Sequence, residues 1–175
     1  TVTINSTGAT PAQIVGSPSL LFDGAAHYMK SAAFTLNQPI TDYIVFRQIT
    51  WGGKYIFDGE ALASVHMVQY SATPEIAFRA GLDSFENPDL AVGVYGVVTI
   101  VCNGANGVLQ VNSGTAMTWN VGTNNAGGST LACRGDATTG FGNIQVKEWI
   151  RRNVADSAAK QASIQALLKQ LHSTP

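Results

Sequence analysis

Residues 94–114, VYGVVTIVCNGANGVLQVNSG, decide how the rest of the chain is read. Val97, Val98, Ile100 and Val101 form one β-branched arm, and Val108, Leu109 and Val111 form a returning one. Such side chains suit a pleated, half-buried surface better than a helix. Between the arms, residues 103–107 carry two Asn-Gly pairs, which tolerate the positive φ of a tight reversal. The stretch is therefore expected to fold as one antiparallel hairpin.

Working upstream, Thr41–Ile49 alternates, with Tyr43, Val45 and Arg47 on one face and Ile44, Phe46 and Gln48 on the other. Both faces are largely apolar, as in a central strand covered on both sides. Short arms bounded by Asp23-Gly24, Gly52-Gly53 and Asp58-Gly59 surround it, at Leu20–Phe22, His27–Met29 and Lys54–Phe57. Further arms are read at His66–Tyr70, Glu75–Arg79, Ala116–Val121, Leu131–Cys133 and Asn143–Ile150. About a dozen short strands separated by turn residues, with no helices between them, imply two antiparallel sheets packed face to face.

One helix is expected, at the C-terminal side. Asp156 is a suitable N-cap, and Ile164, Leu167, Leu168 and Leu171 make an i, i+3, i+4, i+7 apolar stripe. The stripe packs either on its own domain or against sister subunits, as in a trimer. The organisation expected is residues 1–17 as a linker or first loosely held strand, 18–154 as the sandwich, and 155–175 as the helix.

Composition narrows the function. Of 175 residues only 12 % are charged, 45 % are hydrophobic, and the formal net charge is −1. A nucleic-acid partner needs a basic stripe, and none is visible. No apolar run reaches the ~18 residues of a membrane span, so membrane insertion is not expected. Residues 1–16 lack the basic start and apolar run of a signal peptide. The opening without Met, in a Thr/Ser/Gly-rich stretch, leads to the expectation of a fragment or processed end of a longer chain. Cys102 and Cys133, each late in an apolar arm, are either a cross-strand disulfide or two buried thiols.

In order, these pieces resemble the concanavalin A-like jelly roll of the laminin-G/pentraxin type. Leu21-Phe-Asp-Gly24 with Tyr28 resembles its opening strand and turn, and Phe34-Thr…Tyr43-Ile-Val-Phe46 the long core strand. Tyr95–Gly114 resembles its hairpin ending in Val111-Asn-Ser-Gly114, and Phe141–Trp149 its last strand. The match spans about residues 20–171. The long terminal helix and the phrase FTLNQPITDYIVFRQ (34–48) resemble versions found in bacteriophage structural proteins of tails or heads. The resemblance implies an all-β, two-sheet jelly roll with one C-terminal helix. It also implies a location on a virion surface or otherwise outside a cell.

The search for reacting groups finds little. Paired carboxylates of glycosidases must share a strand face. Asp58 and Glu60 have i, i+2 spacing but sit around a turn, and Glu75, Asp83, Glu86 and Asp89 lie in or beside a loop. No Gly-x-Ser-x-Gly elbow is present, and His27, His66 and His172 are scattered. Calcium sites of the resembled family use an acidic loop before the last strand. The matching loop, Arg134–Gly140, has Asp136 as its single carboxylate, while calcium gathers several oxygens. No metal or cofactor is expected; a site completed by Asp58 or backbone carbonyls is the alternative. Arg134-Gly-Asp136 also spells an adhesion tripeptide, read here as coincidence.

Sugar binding needs an aromatic platform and amide or carboxylate groups for hydroxyls. Trp51, Tyr55 and Trp119 are the candidate platform, with Asn87, Asp89, Asn120, Asn124 and Asn125 as polar partners. The alternative makes Trp119 and Trp149 core anchors and the asparagines turn formers. The expected function is a non-enzymatic carbohydrate-binding or adhesion module whose partner is a cell-surface glycan or another virion protein. A structural or decoration domain is the alternative, and a glycoside hydrolase the second.

Overall fold

The computed structural model describes residues 2–3, 13–14, 19–61, 64–82 and 88–175. Two antiparallel sheets face each other. One runs β1 (Val2–Thr3), β4 (Met29–Ser31), β12 (Thr130–Leu131), β6 (Tyr55–Asp58), β7 (His66–Gln69) and β8 (Ile76–Arg79). The other runs β11 (Met117–Trp119), β10 (Gly107–Val111), β9 (Gly96–Cys102), β5 (Ile40–Gln48), β13 (Ile144–Arg152), β3 (Leu20–Leu21) and β2 (Gln13–Ile14).

The expected hairpin is β9 and β10, with Val101 opposite Val108 and Val98 opposite Val111. Its reversal is a single 3-10 turn, Gly104–Asn106, and only Gly104 uses positive φ. Asn103 and Gly107 lie at negative φ, so one Asn-Gly pair serves the turn and the other does not. Alternation in β5 divides its side chains as expected. Ile44 and Phe46 enter the main core with Phe22, Phe57, Met67, Phe78, Val98 and Ile100, all fully buried. Tyr43 and Val45 face outward and are covered by α1 (Ala158–His172).

Helix α1 departs from expectation twice. Its N-cap is Ser157, whose hydroxyl accepts from the Lys160 amide at 3.4 Å. Asp156, expected as the cap, instead accepts from the Tyr43 hydroxyl at 2.9 Å and pairs with Arg152, fastening the helix start to the sheet. The apolar stripe also divides. Ile164 and Leu168 pack on Tyr43, Val45 and Val97, whereas Leu167 and Leu171 are 53 % and 61 % exposed. A flat sheet face accepts only the central row of a helix; the flanking row turns to solvent.

Strand β13 carries a bulge between Val146 and Glu148. Before it, Ile144 and Val146 point into the core. Strict alternation would then send Trp149 outward, but the extra residue reverses the parity. Trp149 therefore pairs with Ile44 and Arg151 with Asp42, both turned toward the opposite sheet. This change of phase builds one of the two open flanks.

Candidate functional site

Strands β3, β4 and β12 are only two or three residues long. Where β4 and β12 face β13 and β3, the layers part and leave an apolar groove. A cavity of about 360 Å³ is lined by Ser19, Leu20, Met29, Leu131, Val146 and Trp149, with Lys147 and Glu148 at its side. A second compartment of about 220 Å³ shares Met29, Leu131 and Trp149 and adds Lys30, Ser31, Ser129 and Arg151.

The half-buried Trp149 ring is the shared wall. It stacks on Phe57 at 5.2 Å and 26°, and its Nε1 donates to Asp42 at 2.9 Å. Arg151 closes the same carboxylate with two bonds, Nε at 2.7 Å and Nη2 at 3.1 Å, and its Cζ lies 4.6 Å from the Trp149 centroid. Arg151 also donates to the Gly128 carbonyl and the Ser129 hydroxyl. Lys30 donates to the carbonyls of Glu60 and Gly135 and pairs with the Glu60 carboxylate at 3.3 Å. Lys30 and Arg151 at this groove are thus matched by protein acceptors.

The other flank lies between Pro88–Asp89, which bridge to Glu75 just before β8, and β10–β11. A wider cleft, about 550 Å³, is lined by Pro88, Asp89, Val111, Asn112, Gly114, Thr115 and Met117. Asp89 is exposed, and its backbone bridges Glu75. Trp51 approaches the same bridge, its Nε1 donating to the Glu75 carbonyl at 3.3 Å. Buried Gln69 holds the Trp51 turn, accepting from the amides of Gly52 and Lys54 and donating to Gln48 in the opposite sheet at 2.7 Å.

The residues singled out from sequence do not meet at one place. Trp51 and Asp89 lie at the end of the sandwich where β5 finishes, near Phe46 opposite Gly96. Trp119 lies toward the other end, opposite Gly107 beyond the Cys102 end of β9. Its ring meets Phe78 edge-on at 6.5 Å. Asn120, Asn124 and Asn125 follow it there. Asn120 Oδ1 accepts from the Gly122 amide, a turn-forming bond, and Asn125 Oδ1 accepts from the Gln38 amide, tying two distant loops together. Tyr55 is half-buried on β6 against His66, with ring centroids 5.4 Å apart. Burial pushes its hydroxyl pKa up. Asn87 lies outside the described residues, as do Asp83, Glu86 and the 62–63 stretch.

Missed by sequence reasoning were Met29, Lys30, Leu131 and Arg151, and the groove-facing role of Trp149. Composition offers no signal for a gap between sheets. The pairing of Asp42 with Arg151 requires the bulge to be known first.

The carboxylates are largely engaged with protein donors. Asp58 is fully buried and accepts from the amides of Gly59, Ser64 and Gly135 at 2.7, 3.1 and 2.9 Å. Glu60 turns to Lys30, so the two do not form a facing pair. Arg134 binds Asp136 within its own tripeptide, holding that carboxyl well below the usual carboxylate range. Gly135 between them is buried; a Cβ there would come within 2.1 Å of the Ala61 carbonyl oxygen. The Arg134-Gly-Asp136 sequence is thus part of a packed turn. Cys102 and Cys133 are free thiols, and burial pushes them up to about 12 and about 11.

Strand order, a two-layer core and a covering helix define a jelly-roll sandwich, consistent with the concanavalin A-like class. No family model matches the chain, and no curated protein matches it. Among solved structures, it is similar to a native heptameric SAP-like pentraxin from Limulus polyphemus, at TM-score 0.66 and 14 % identity. That match covers 84 % of this chain and 81 % of the pentraxin. It is also similar to Trypanosoma rangeli sialidase in complex with sialic acid, at TM-score 0.66 and 9 % identity, covering 99 % of this chain but 30 % of that one. A GH54 α-L-arabinofuranosidase mutant soaked with 4-nitrophenyl α-L-arabinofuranoside gives TM-score 0.63 and 11 % identity, covering 94 % of this chain and 47 % of that one. The chain thus spans under half the length of either glycosidase. At these identities the likeness is one of fold.

Proposed function

We propose that the chain is a non-enzymatic carbohydrate-binding module that takes an uncharged saccharide in the Trp149 groove. The observation that carries this reading is an aromatic wall between apolar side chains and a hydroxyl rim, Ser31 and Ser129, at which the cations already have protein acceptors. Aromatic rings bind the C–H faces of sugars, and hydroxyls fix their orientation. A charged ligand would have to displace the Asp42–Arg151 pair; a neutral one would not. The sialidase and arabinofuranosidase to which the fold is similar are glycan-handling proteins by their own descriptions, which is compatible with this reading.

An assembly or decoration role without glycan binding is the second reading, favoured by the exposed Leu167 and Leu171 on α1. Placement on a phage particle follows from the sequence resemblance alone; none of the structures named above is described as a virion protein.

Titration with neutral oligosaccharides, read by Trp fluorescence and calorimetry, tests the groove. Saturable binding is expected, with Trp149→Phe weakening it roughly tenfold while the fold survives, since an aromatic ring still stacks on Phe57. Binding that is absent across a neutral glycan panel, or unchanged in Trp149→Phe, would overturn the assignment. Turnover of aryl glycosides that disappears in a double Asp58→Asn, Glu60→Gln variant would overturn the non-enzymatic part.

A further inference from the structure

We infer that Arg47, Lys147 and Tyr95 form an anion site for a carboxylate group on the outer face of the seven-stranded sheet, with Lys147 standing between it and the saccharide groove. Arg47 points outward from β5, on the face of Tyr43 and Val45. Its Cζ lies 5.0 Å from the Tyr95 ring centroid, and the Lys147 Nζ lies 4.2 Å from the same centroid. Two cations are therefore gathered on one ring. Like charges repel, and a cation–π contact offsets only part of that repulsion at a wet surface.

Among the described residues neither cation has a carboxylate partner. Arg47 Nε donates to Gln145 Oε1 at 2.9 Å, which fixes the guanidinium plane. Its two Nη groups have no acceptor among the described residues and are not sealed from solvent. Lys147 gives one of its protons to the His172 carbonyl at the end of α1, 3.1 Å away. An ammonium has three protons to give, so two remain. The adjacent acid, Glu148, is bound to His172 Nε2 at 2.7 Å. On α1, Lys169 is turned to the Ser113 hydroxyl and brings no negative charge.

The bulge is the second, independent observation. It inserts Lys147 between Val146, opposite Phe46, and Glu148, opposite Val45. Bulges re-aim side chains, and this one lays Lys147 across β5 to a ring that precedes β9. A planar guanidinium and an ammonium held at the same ring suit a carboxylate, which can accept two parallel bonds from arginine and a third from lysine. A uronic acid, a free carboxylic acid or an acidic side chain would present this group.

The test is a titration of the full chain followed by the Arg47 Nε–Hε resonance. Acetate and glucuronate are the carboxylate probes, sulfate and inorganic phosphate the tetrahedral ones, and chloride and glucose the controls. A saturable shift with both carboxylates is expected, and none with glucose. Arg47→Lys keeps the charge but loses the fork, and Lys147→Met keeps the apolar stem; each should weaken acetate binding roughly tenfold, followed on the Tyr95 ring resonances, as loss of a charge-assisted bond does. Equal, non-saturating shifts with chloride and every other anion would show screening alone and overturn the site. So would carboxylate binding that Arg47→Lys leaves unchanged, or tighter binding of sulfate than of acetate. Because glucose is a control here, failure of this site and failure of the neutral-sugar groove are separate results.

Discussion

At the flank between β12 and β13 the sandwich opens onto Trp149, Met29 and Leu131, where Asp42 is closed into a pair with Arg151 and Lys30 with Glu60. At the flank between β8 and β10 it opens onto Asn112, Thr115 and an exposed Asp89, with no aromatic ring among the described residues of the lining. Both gaps lie beside short strands, β3, β4 and β12 at the first and β8 and β11 at the second. They differ because one is bordered by a strand whose phase has been reversed. Without the bulge, β13 would turn Trp149 and Arg151 to solvent and leave Asp42 buried alone. A gap in a β-sandwich acquires chemistry from which residues the bordering strands turn inward, rather than from its volume.

The comparison breaks first at the ion pair. Asp42 is fully buried and the Arg151 side chain is 9 % exposed, so Arg151→Ala strands a charge in the interior. A loss of about 3–5 kcal/mol is expected, measured by urea unfolding. A loss below about 1 kcal/mol would mean that water reaches Asp42 and that the two flanks are alike.

A smaller effect separates sealed from open surface through pH. Both thiols are held protonated by burial, Cys102 up to about 12 and Cys133 up to about 11. In the unfolded chain they ionise near the ordinary thiol value of 9.0, so below that pH their preference costs nothing. As pH rises above 9 the unfolded state loses protons that the folded state keeps. Stability then falls by about 1.4 kcal/mol per pH unit for each thiol, levelling off once the folded pKa is passed. Unfolding at pH 8, 9 and 10, with a double Cys102→Ala, Cys133→Ala variant as control, measures the slope. A slope unchanged in that variant would mean that the thiols are not its source.

The smallest effect belongs to the polar flank. Asp89→Asn changes an exposed carboxylate, and stability should move by less than about 0.5 kcal/mol. A larger loss would mark Asp89 as part of the framework and remove the contrast.

Much of the framework could be read from the residues. The β9–β10 hairpin, the two-faced alternation of β5 and the terminal helix all follow from periodicity, because each pattern extends over several residues. What could not be read is what depends on one residue. A bulge leaves no mark in Ile144–Arg152, so the inward turn of Trp149 and Arg151 is invisible there. Asp156 looks like a cap until Tyr43, more than a hundred positions away, is seen beside it. The candidate sugar platform failed to assemble for a similar reason: Trp51 and Trp119 are both loop-proximal, and sequence cannot say that their loops leave opposite ends of the body.

Lys147 makes one strand behave as two spliced halves. The leading half shares its outward side with Arg47, and the trailing half lends its inward side to the gap between the layers. Deleting that residue would keep nearly every amino acid and yet exchange inside for outside over the last five positions of the strand. Families of such sandwiches could change what a flank recognises by gaining or losing one codon, with no substitution in the groove.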